Sequence, residues 1–172
     1  MATILLVEDD ASMRLLTTAK LKHRFTMVCA RDGVEALEVL EHRMVDLIIS
    51  DVMMPRMDGY TLVKTLRERG NQMPVLLLTA KQSFEDKREG ETLELPRKEF
   101  ELLYKLLSYP GQIFTRNQLL DGVWGYDSES GEDTVKTHIS RLRNKLRDVP
   151  EFRIVTIKGL GYKAEITKEE GA

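Results

Sequence analysis

Short apolar runs alternate with amphipathic segments through the first half of the chain. The runs cover residues 3–7, 25–30, 47–49 and 74–78, and each ends at polar or charged side chains. The third run, Leu47-Ile48-Ile49, does not alternate apolar and polar positions, which is typical of a strand buried on both faces of a parallel sheet. The segments between the runs carry apolar residues at helical spacing. This order of elements predicts repeated βαβ units and a doubly wound parallel α/β sheet.

Polar residues and glycine mark where the helices of this half begin. The expected caps or first positions are Ser12 or Asp10, Gly33, Asp58 and Ser83. The helix that begins at Ser83 is expected to end at Gly90. These signals divide the first half into short strands, each followed by a helix.

The second half of the chain has a different pattern, in which three helical segments precede a pair of strands. The predicted helices cover 96–108, 116–124 and 134–147, and the predicted strands cover 152–157 and 162–165. The third helix carries its apolar residues on one narrow stripe. The strands flank the turn Lys158-Gly159-Leu160-Gly161, which indicates a β-hairpin. We therefore expect a separate α+β domain here.

Composition limits the class of protein but says little about its function. The 172 residues carry a formal net charge of −2, so the chain as a whole has no nucleic-acid signature, although an average can conceal a basic surface. Cys29 is the only cysteine, which excludes an internal disulfide and a thiolate-rich zinc site. No apolar run is long enough to cross a bilayer, and the N-terminus turns acidic at once. We therefore expect a cytoplasmic protein with no membrane partner.

Acidic and hydroxyl side chains follow three of the predicted strands. Glu8 and Asp9 come after the first strand, Asp51 after the third and Thr79 after the fourth. If these strands are neighbours, their carboxyl ends bring all four side chains to one edge of the sheet. A hard divalent cation such as Mg²⁺ would offset the repulsion between the carboxylates, and Asp51 could then accept a phosphoryl group. The alternative is a set of solvated acids at the starts of loops.

The helix predicted over 134–147 has a basic face opposite its apolar stripe. That face and its flanks carry Lys136, Thr137, Ser140, Arg141, Arg143, Asn144, Lys145 and Arg147. A charged helix face is usually only solvated. A face of one sign that follows a helix-turn-helix spacing, however, suits the major groove of DNA. The basic hairpin tip at 158–161 could enter the adjacent minor groove as a wing.

The stretches LLVEDD, DLIISDVMMPRMDG and LLLTAK resemble, in order and spacing, the receiver domain of two-component response regulators. The resemblance implies a flavodoxin-like fold and gives each residue of the acidic edge a role. Asp51 would be the phospho-acceptor and Thr79 the switch hydroxyl. Glu8, Asp9 and Asp51 would hold Mg²⁺ together with the backbone carbonyl of Met53. Such domains take their phosphoryl group from a histidine kinase.

The stretches RKEFELL, LLDGVW, TVKTHISRLRNKL and IKGLGYK resemble the winged-helix DNA-binding domain of the OmpR/PhoB family. The resemblance implies a transcription regulator that is not an enzyme, binds double-stranded DNA and forms a homodimer when phosphorylated. Ser140 stands where arginine is common, which leaves one phosphate or base contact without its usual residue. The residues expected to touch DNA are Lys136, Thr137, Ser140, Arg141, Asn144, Lys145, Lys158, Gly159 and Lys163.

The resemblance is interrupted at Gly90-Glu91. The family pattern continues there with a fifth strand, a Lys-Pro pair whose lysine contacts the phosphoryl group, a fifth helix and a linker. By that comparison roughly sixty residues are absent, against about five in a typical loop. We therefore predict a receiver domain at 1–90 that lacks its last strand and helix, and a DNA-binding domain at 91–172 whose N-terminal sheet is incomplete.

Three explanations of this interruption remain open. An intervening segment could be missing from the printed residues, or the chain could be a deletion variant. A natural compact variant is the third explanation, but losing the fifth strand would expose the backbone groups of the fourth.

Two further functions also remain open. A deletion variant would bind DNA without control by phosphorylation, because its receiver lacks the lysine and the dimerisation surface. The chain could instead be an aspartate-nucleophile phosphotransferase or phosphatase. Such phosphatases usually carry a second aspartate two residues after the nucleophile, and here that position is Met53.

Overall fold

The chain folds into two units that meet in sequence at residue 96. The structure, a computed structural model, describes residues 1–80 and 92–167. Contacts between Cα atoms group Met1–Pro96 into the first unit and Arg97–Ala172 into the second. The division predicted at residue 90 falls in the segment outside the described residues, so that boundary stays a prediction.

The first unit is built on a parallel sheet of five strands in the order β2-β1-β3-β4-β5. The strands are β1 (Thr3–Val7), β2 (Thr26–Ala30), β3 (Leu47–Asp51), β4 (Val75–Thr79) and β5 (Thr92–Pro96). Its described helices are α1 (Ala11–Leu21), α2 (Gly33–His42) and α3 (Gly59–Glu68). This architecture confirms the predicted doubly wound α/β fold and makes β1, β3 and β4 neighbours.

Aspartate side chains begin each of these helices. Asp10 accepts a hydrogen bond from the amide of Met13 at 2.9 Å, and Asp58 accepts one from Thr61 at 2.7 Å. These contacts confirm two of the predicted caps and choose Asp10 over Ser12. Asp32, which the sequence pattern did not single out, caps α2. Each cap satisfies amide groups that have no partner within the helix.

The core of the first unit explains why the apolar runs do not alternate. Ile48 and Ile49 of β3 point to opposite faces of the sheet, and both are 2 % exposed or less. On one face, side chains of the sheet pack against the inner sides of α2 and α3. That cluster includes Leu5, Val7, Ile48, Val75, Leu77, Ala36, Leu62 and Leu66.

The prediction that this sheet lacks its last strand is wrong. Residues 92–96, which were expected to belong to the second domain, pair in parallel with β4 in a register that sets Leu78 against Leu95 and Thr79 against Pro96. The physical reason is that β4 would otherwise present unpaired backbone groups along its whole length. Arg67 at the end of α3 also donates to the Thr92 hydroxyl at 3.1 Å.

The second part of that prediction was that the receiver lacks its last helix. Within the described residues the first unit has no helix after β5, because the next helix begins at Arg97 in the second unit. The helix predicted over 83–90 and the Gly90-Glu91 junction both lie outside the described residues.

The second unit combines three helices with a small antiparallel sheet in the order β6-β8-β7. Its elements are α4 (Arg97–Ser108), β6 (Phe114–Thr115), α5 (Arg116–Trp124), α6 (Glu132–Lys145), β7 (Phe152–Ile157) and β8 (Gly161–Ile166). The three helices and the hairpin agree with the sequence pattern. A capping box formed by Thr115 and Gln118 begins α5.

A buried ion pair joins α6 to α4. The Lys145 ammonium lies 3.0 Å from Oε2 of Glu99, whose side chain is fully buried. The second carboxylate oxygen, Oε1, has no hydrogen-bond partner in the described part of the chain. The negative charge of Glu99 therefore depends on Lys145 for its compensation.

We predict that Lys145→Met lowers the free energy of unfolding of the second unit by about 3 kcal/mol, because a buried carboxylate loses its cation. Trp124 is the only tryptophan and lies in this unit, so its fluorescence during urea unfolding measures the change. The double change Lys145→Met with Glu99→Leu should recover most of the loss.

The control is Lys136→Met, which breaks an exposed pair with Asp133 on the same helix and should leave the urea midpoint unchanged. A loss as large for the Lys136 variant as for the Lys145 variant would contradict the structural role of the buried pair.

Candidate functional site

Three carboxylates gather at the carboxyl edge of the first sheet. Glu8 and Asp9 follow β1, and Asp51 ends the neighbouring strand β3. One ligand oxygen from each side chain lies within 4.8 Å of the other two. The structure therefore brings together the three acidic side chains that the sequence pattern placed at one edge.

Hydrogen bonds from the backbone hold these acids in place. Glu8 is buried and accepts a hydrogen bond from the amide of Asp10 at 3.2 Å. Asp51 is half-buried, and its Oδ1 accepts from the amide of Val52 at 2.7 Å. Asp9 is exposed. Amide dipoles directed at the carboxylates partly offset their mutual repulsion.

Arg14, in the first turns of α1, adds a positive charge beside the acidic edge. Its Nη1 donates to the carbonyl oxygens of Glu8 at 2.6 Å and Asp9 at 3.3 Å. The guanidinium group thus fixes the backbone that carries two of the acids. The sequence pattern did not single out Arg14, because the partners of Arg14 are backbone atoms.

The cluster has the chemistry of a magnesium site. Mg²⁺ prefers carboxylate and carbonyl oxygens, keeps several waters, and places opposite ligands about 4 Å apart. One oxygen from each of the three carboxylates lies within 4.8 Å of the other two, so the three side chains converge on one place. Glu8, Asp9 and Asp51 are therefore able to hold such an ion.

The loop after β3 approaches the backbone of Asp51 closely. The amide of Gly59 donates to the carbonyl of Val52 at 2.8 Å. A Cβ atom at residue 59 would lie 2.4 Å from the carbonyl oxygen of Asp51, so only glycine fits there. Met53, whose carbonyl was expected to complete the metal site, lies in this loop two residues after Asp51.

Thr79 lies at the same edge of the sheet, at the end of β4. Asp51 stands opposite Leu78 in the register of the two strands, so Thr79 is one position further toward the carboxyl end. At the end of β5 stand Leu95 and Pro96. Leu95 is buried, and a Leu-Pro pair therefore ends the strand where the resemblance implies a Lys-Pro pair.

In the second unit, α6 presents a polar face to solvent. Its apolar stripe, which includes Val135, Ile139 and Leu142, is buried as predicted. The exposed or half-buried residues among the expected DNA contacts on this helix are Lys136, Thr137, Ser140, Arg141 and Asn144. These five residues therefore lie on the side of α6 that does not face the core.

One residue of the expected DNA set points elsewhere. Lys145 was predicted to contact DNA, but the ammonium group of Lys145 is turned inward and held by the buried carboxylate of Glu99. Because α4 packs against this side of α6, the lysine is committed to the core. We therefore correct its assignment from a DNA contact to a structural residue.

Acidic residues that sequence reasoning left out engage two more of the basic side chains. Lys136 lies 3.0 Å from Asp133 on the same helix. The hydrogen bond from Lys136 holds the pKa of Asp133 below its ordinary value. On β8, Lys163 lies 2.7 Å from Glu165, which also binds Arg153. The hydrogen bond from Lys163, with that from Arg153, lowers the pKa of Glu165.

The hairpin of β7 and β8 ends in a basic tip. Lys158 and Gly159 are both exposed at the turn. Arg143 of α6 donates to the carbonyl of Ile154 and to the hydroxyl of Thr156 on β7, so the helix and the hairpin are held together. The structure thus places the predicted wing beside the predicted reading helix.

Within residues 1–80 and 92–167, no helix combines the length and the hydrophobicity that crossing a bilayer would require.

Two family models match the chain. The response regulator receiver domain matches residues 4–95, and the domain described as transcriptional regulatory protein, C terminal, matches residues 90–164. The two matches overlap over residues 90–95, so no linker separates them.

Similar proteins agree with these matches. The heme response regulator HssR of Staphylococcus aureus (strain bovine RF122 / ET3-1) is 30% identical over 222 residues, which take in 96% of this chain and 99% of that protein. A Francisella response regulator 1452 receiver domain is 29% identical with a TM-score of 0.55, over 62% of this chain and 96% of that one. The response regulator protein TrrA of Thermotoga maritima, solved in complex with Mg²⁺-BeF, is 26% identical with a TM-score of 0.51, over 63% and 98%.

The comparison with HssR also measures the interruption in this chain. Because 222 aligned positions take in 96% of only 172 residues, more than fifty positions of that relative have no counterpart here. The matches to both domains are nevertheless in order and cover nearly the whole chain. The chain therefore belongs to the OmpR/PhoB family of two-component response regulators, DNA-binding transcription regulators that depend on phosphorylation.

Proposed function

We propose that Asp51 is the residue that accepts the phosphoryl group in this regulator, from a histidine kinase that is its partner. The observation that supports this assignment is the cluster of Glu8, Asp9 and Asp51 at the carboxyl edge of the sheet, where open α/β folds place their chemistry. Among the three acids, Asp51 alone ends a central strand. The close approach of Gly59 constrains its backbone, and the amide of Val52 holds its side chain.

The transfer itself requires little chemistry from the protein. An oxygen of Asp51 attacks the phosphorus of the donor phosphohistidine, the P–O bond forms, the P–N bond breaks, and the imidazole leaves. Glu8, Asp9, Asp51 and the carbonyl of Met53 would hold Mg²⁺, which neutralises charge on the phosphoryl oxygens when bound. The crystallised relative TrrA, which carries Mg²⁺-BeF, supports this assignment.

The hydroxyl of Thr79 lies at the same edge and would bind a phosphoryl oxygen, which couples the modification to β4. At the end of β5 the buried Leu95 offers no charge to the phosphoryl group. Within residues 1–80 and 92–167, the site proposed here therefore has its acids and its hydroxyl, and its positive charge would come from Mg²⁺, backbone amides and the nearby Arg14.

For the second unit, we propose that α6 lies in the major groove and the hairpin tip beside it in the minor groove. Asn144 and Arg141 are of the types that read adenine and guanine. Phosphorylation would favour a homodimer on paired half-sites. The proposed contacts are Lys136, Thr137, Ser140, Arg141, Asn144, Lys158, Gly159 and Lys163.

A second candidate function is a DNA-binding protein that does not respond to phosphorylation. Three observations favour it: the buried Leu95 at the end of β5, the more than fifty missing positions, and the lack of a helix after β5 in the described residues of the first unit. The two functions differ in one measurable quantity, the change in DNA affinity on phosphorylation.

Incubation of the whole chain with Mg²⁺ and acetyl phosphate should label the protein, and Asp51→Ala should abolish the label because the nucleophile is gone. Mass spectrometry measures the added phosphoryl group. Asp127→Ala, an exposed acid of the second unit, is the matched control and should label as the unaltered chain does. Equal labelling of the Asp51 variant would refute the assignment of Asp51.

Binding to duplex DNA selected from a random pool should weaken steeply as salt rises, because phosphate contacts release counterions. Lys158→Ala should reduce the slope of log K against log salt by about 1. Lys64→Ala, which removes an exposed lysine of the first unit, should leave the slope unchanged. A slope unaffected by Lys158→Ala would remove the wing contact.

The same assay separates the two candidate functions. If acetyl phosphate raises the DNA affinity of the unaltered chain but not of Asp51→Ala, phosphorylation of Asp51 controls DNA binding. Identical affinities before and after labelling would favour the phosphorylation-independent binder.

A further inference from the structure

Asp32 is a buried acid whose two carboxylate oxygens bind different elements. Its side chain is 5% exposed. Oδ1 accepts hydrogen bonds from the amides of Val34 and Glu35, at 2.9 and 3.0 Å, and so caps α2. Oδ2 accepts from Arg56, at 2.7 Å from Nε and 2.5 Å from Nη2. The cap uses only Oδ1, so the contact between Oδ2 and Arg56 is not part of it.

The acid is charged in its buried setting. Burial raises the pKa of Asp32, but the amide of Glu35, the Arg56 guanidinium and the amide of Val34 together lower it further, and the net shift is downward. Asp32 is buried but the Arg56 side chain is 59% exposed, so solvent screens this pair only in part.

Arg56 reaches this acid from the loop between β3 and α3. Among the residues that the structure describes, it is the one non-glycine residue with a positive φ, at 62°. A side chain in this left-handed region strains the backbone, and such strain persists only where the surroundings compensate it. The bidentate contact with Asp32 is that compensation.

A second contact joins the same two segments one residue further along. The amide of Gly33 donates to the carbonyl of Met57 at 3.1 Å. A Cβ atom at residue 33 would lie 2.6 Å from Cγ of Met57, so glycine is what lets the loop approach α2. Consecutive residues of the loop are thus held against consecutive residues at the start of α2.

We propose that Asp32 and Arg56 are positioning residues that hold the β3–α3 loop in the conformation needed for Mg²⁺ to bind. This inference rests on the proposed function, in which the carbonyl of Met53 in that loop is a metal ligand. With Arg56 bound to α2, the loop is fixed at Asp51, at Gly59 and between them. Without the contact between Arg56 and Asp32, the strained backbone of the loop relaxes. The carbonyl of Met53 must then be ordered when Mg²⁺ binds, which weakens the affinity for Mg²⁺.

The test is Mg²⁺ binding by the whole chain, measured by isothermal titration calorimetry. Arg56→Gln should weaken binding about 10-fold, the lower end of the usual effect of removing an outer-shell partner. Arg56→Lys, which keeps the charge but not the two-pronged contact, should weaken it less. Arg31→Gln is the matched control, because it breaks the ion pair between Arg31 and Glu35 of α2 without touching Arg56. This variant should bind Mg²⁺ as the unaltered chain does.

Labelling by acetyl phosphate separates positioning from catalysis. For Arg56→Gln, the Mg²⁺ concentration that gives half-maximal labelling should rise about 10-fold in step with the binding constant. The rate at saturating Mg²⁺ should match that of the unaltered chain. A lower rate at saturation with unchanged Mg²⁺ dependence would overturn the positioning role.

A readout without metal checks the contact itself. In Arg56→Gln the Gly33 amide, which donates to Met57, should exchange hydrogen faster, while the Val34 amide, held by the Asp32 cap, should not change. Equal Mg²⁺ binding by the unaltered chain and Arg56→Gln, or unchanged exchange at Gly33, would overturn this inference alone. Failure of the unaltered chain to bind Mg²⁺ would overturn the proposed metal site and this inference with it.

Discussion

Repulsion between three carboxylates at one edge of a parallel sheet is the constraint on which the first unit depends. Because β1 and β3 are neighbours, the side chains of Glu8, Asp9 and Asp51 lie close together. The fold offsets this repulsion with amide groups directed at Glu8 and Asp51 and with the Arg14 guanidinium on the backbone of the same loop. A cluster of this kind is suited to the divalent cation that we propose for it, because a cation offsets the remaining repulsion between the carboxylates.

The strands and the acidic edge were predictable because their signals are local. An apolar run that stops at an acid, as at Val7 and Glu8, marks both a buried strand and its end. The fifth strand was not predictable in this way. Leu93 and Leu95 alternate with polar residues and would suit either a small antiparallel sheet or the edge of the receiver, and only the unpaired backbone of β4 decides between them.

Ion pairs between distant residues form the second class of features that the sequence pattern could not supply. Arg56 meets Asp32 across 24 residues, and Lys145 meets Glu99 across 46. Composition and spacing reveal the charges but not their partners. This is why α6 reads as uniformly basic in the sequence, although Lys145 belongs to the core and Lys136 is held by Asp133.

The junction between the two units decides how a signal could pass through this chain. The family pattern has a lysine near the phosphoryl group and a helix after the fifth strand, whereas here β5 ends in the buried Leu95 and leads directly into Arg97 of α4. If Asp51 accepts a phosphoryl group as proposed, Thr79 at the end of β4 and the β3–α3 loop are described elements through which it could act. Because β4 pairs with β5 along its whole length, a shift at Thr79 reaches the strand that ends at the junction.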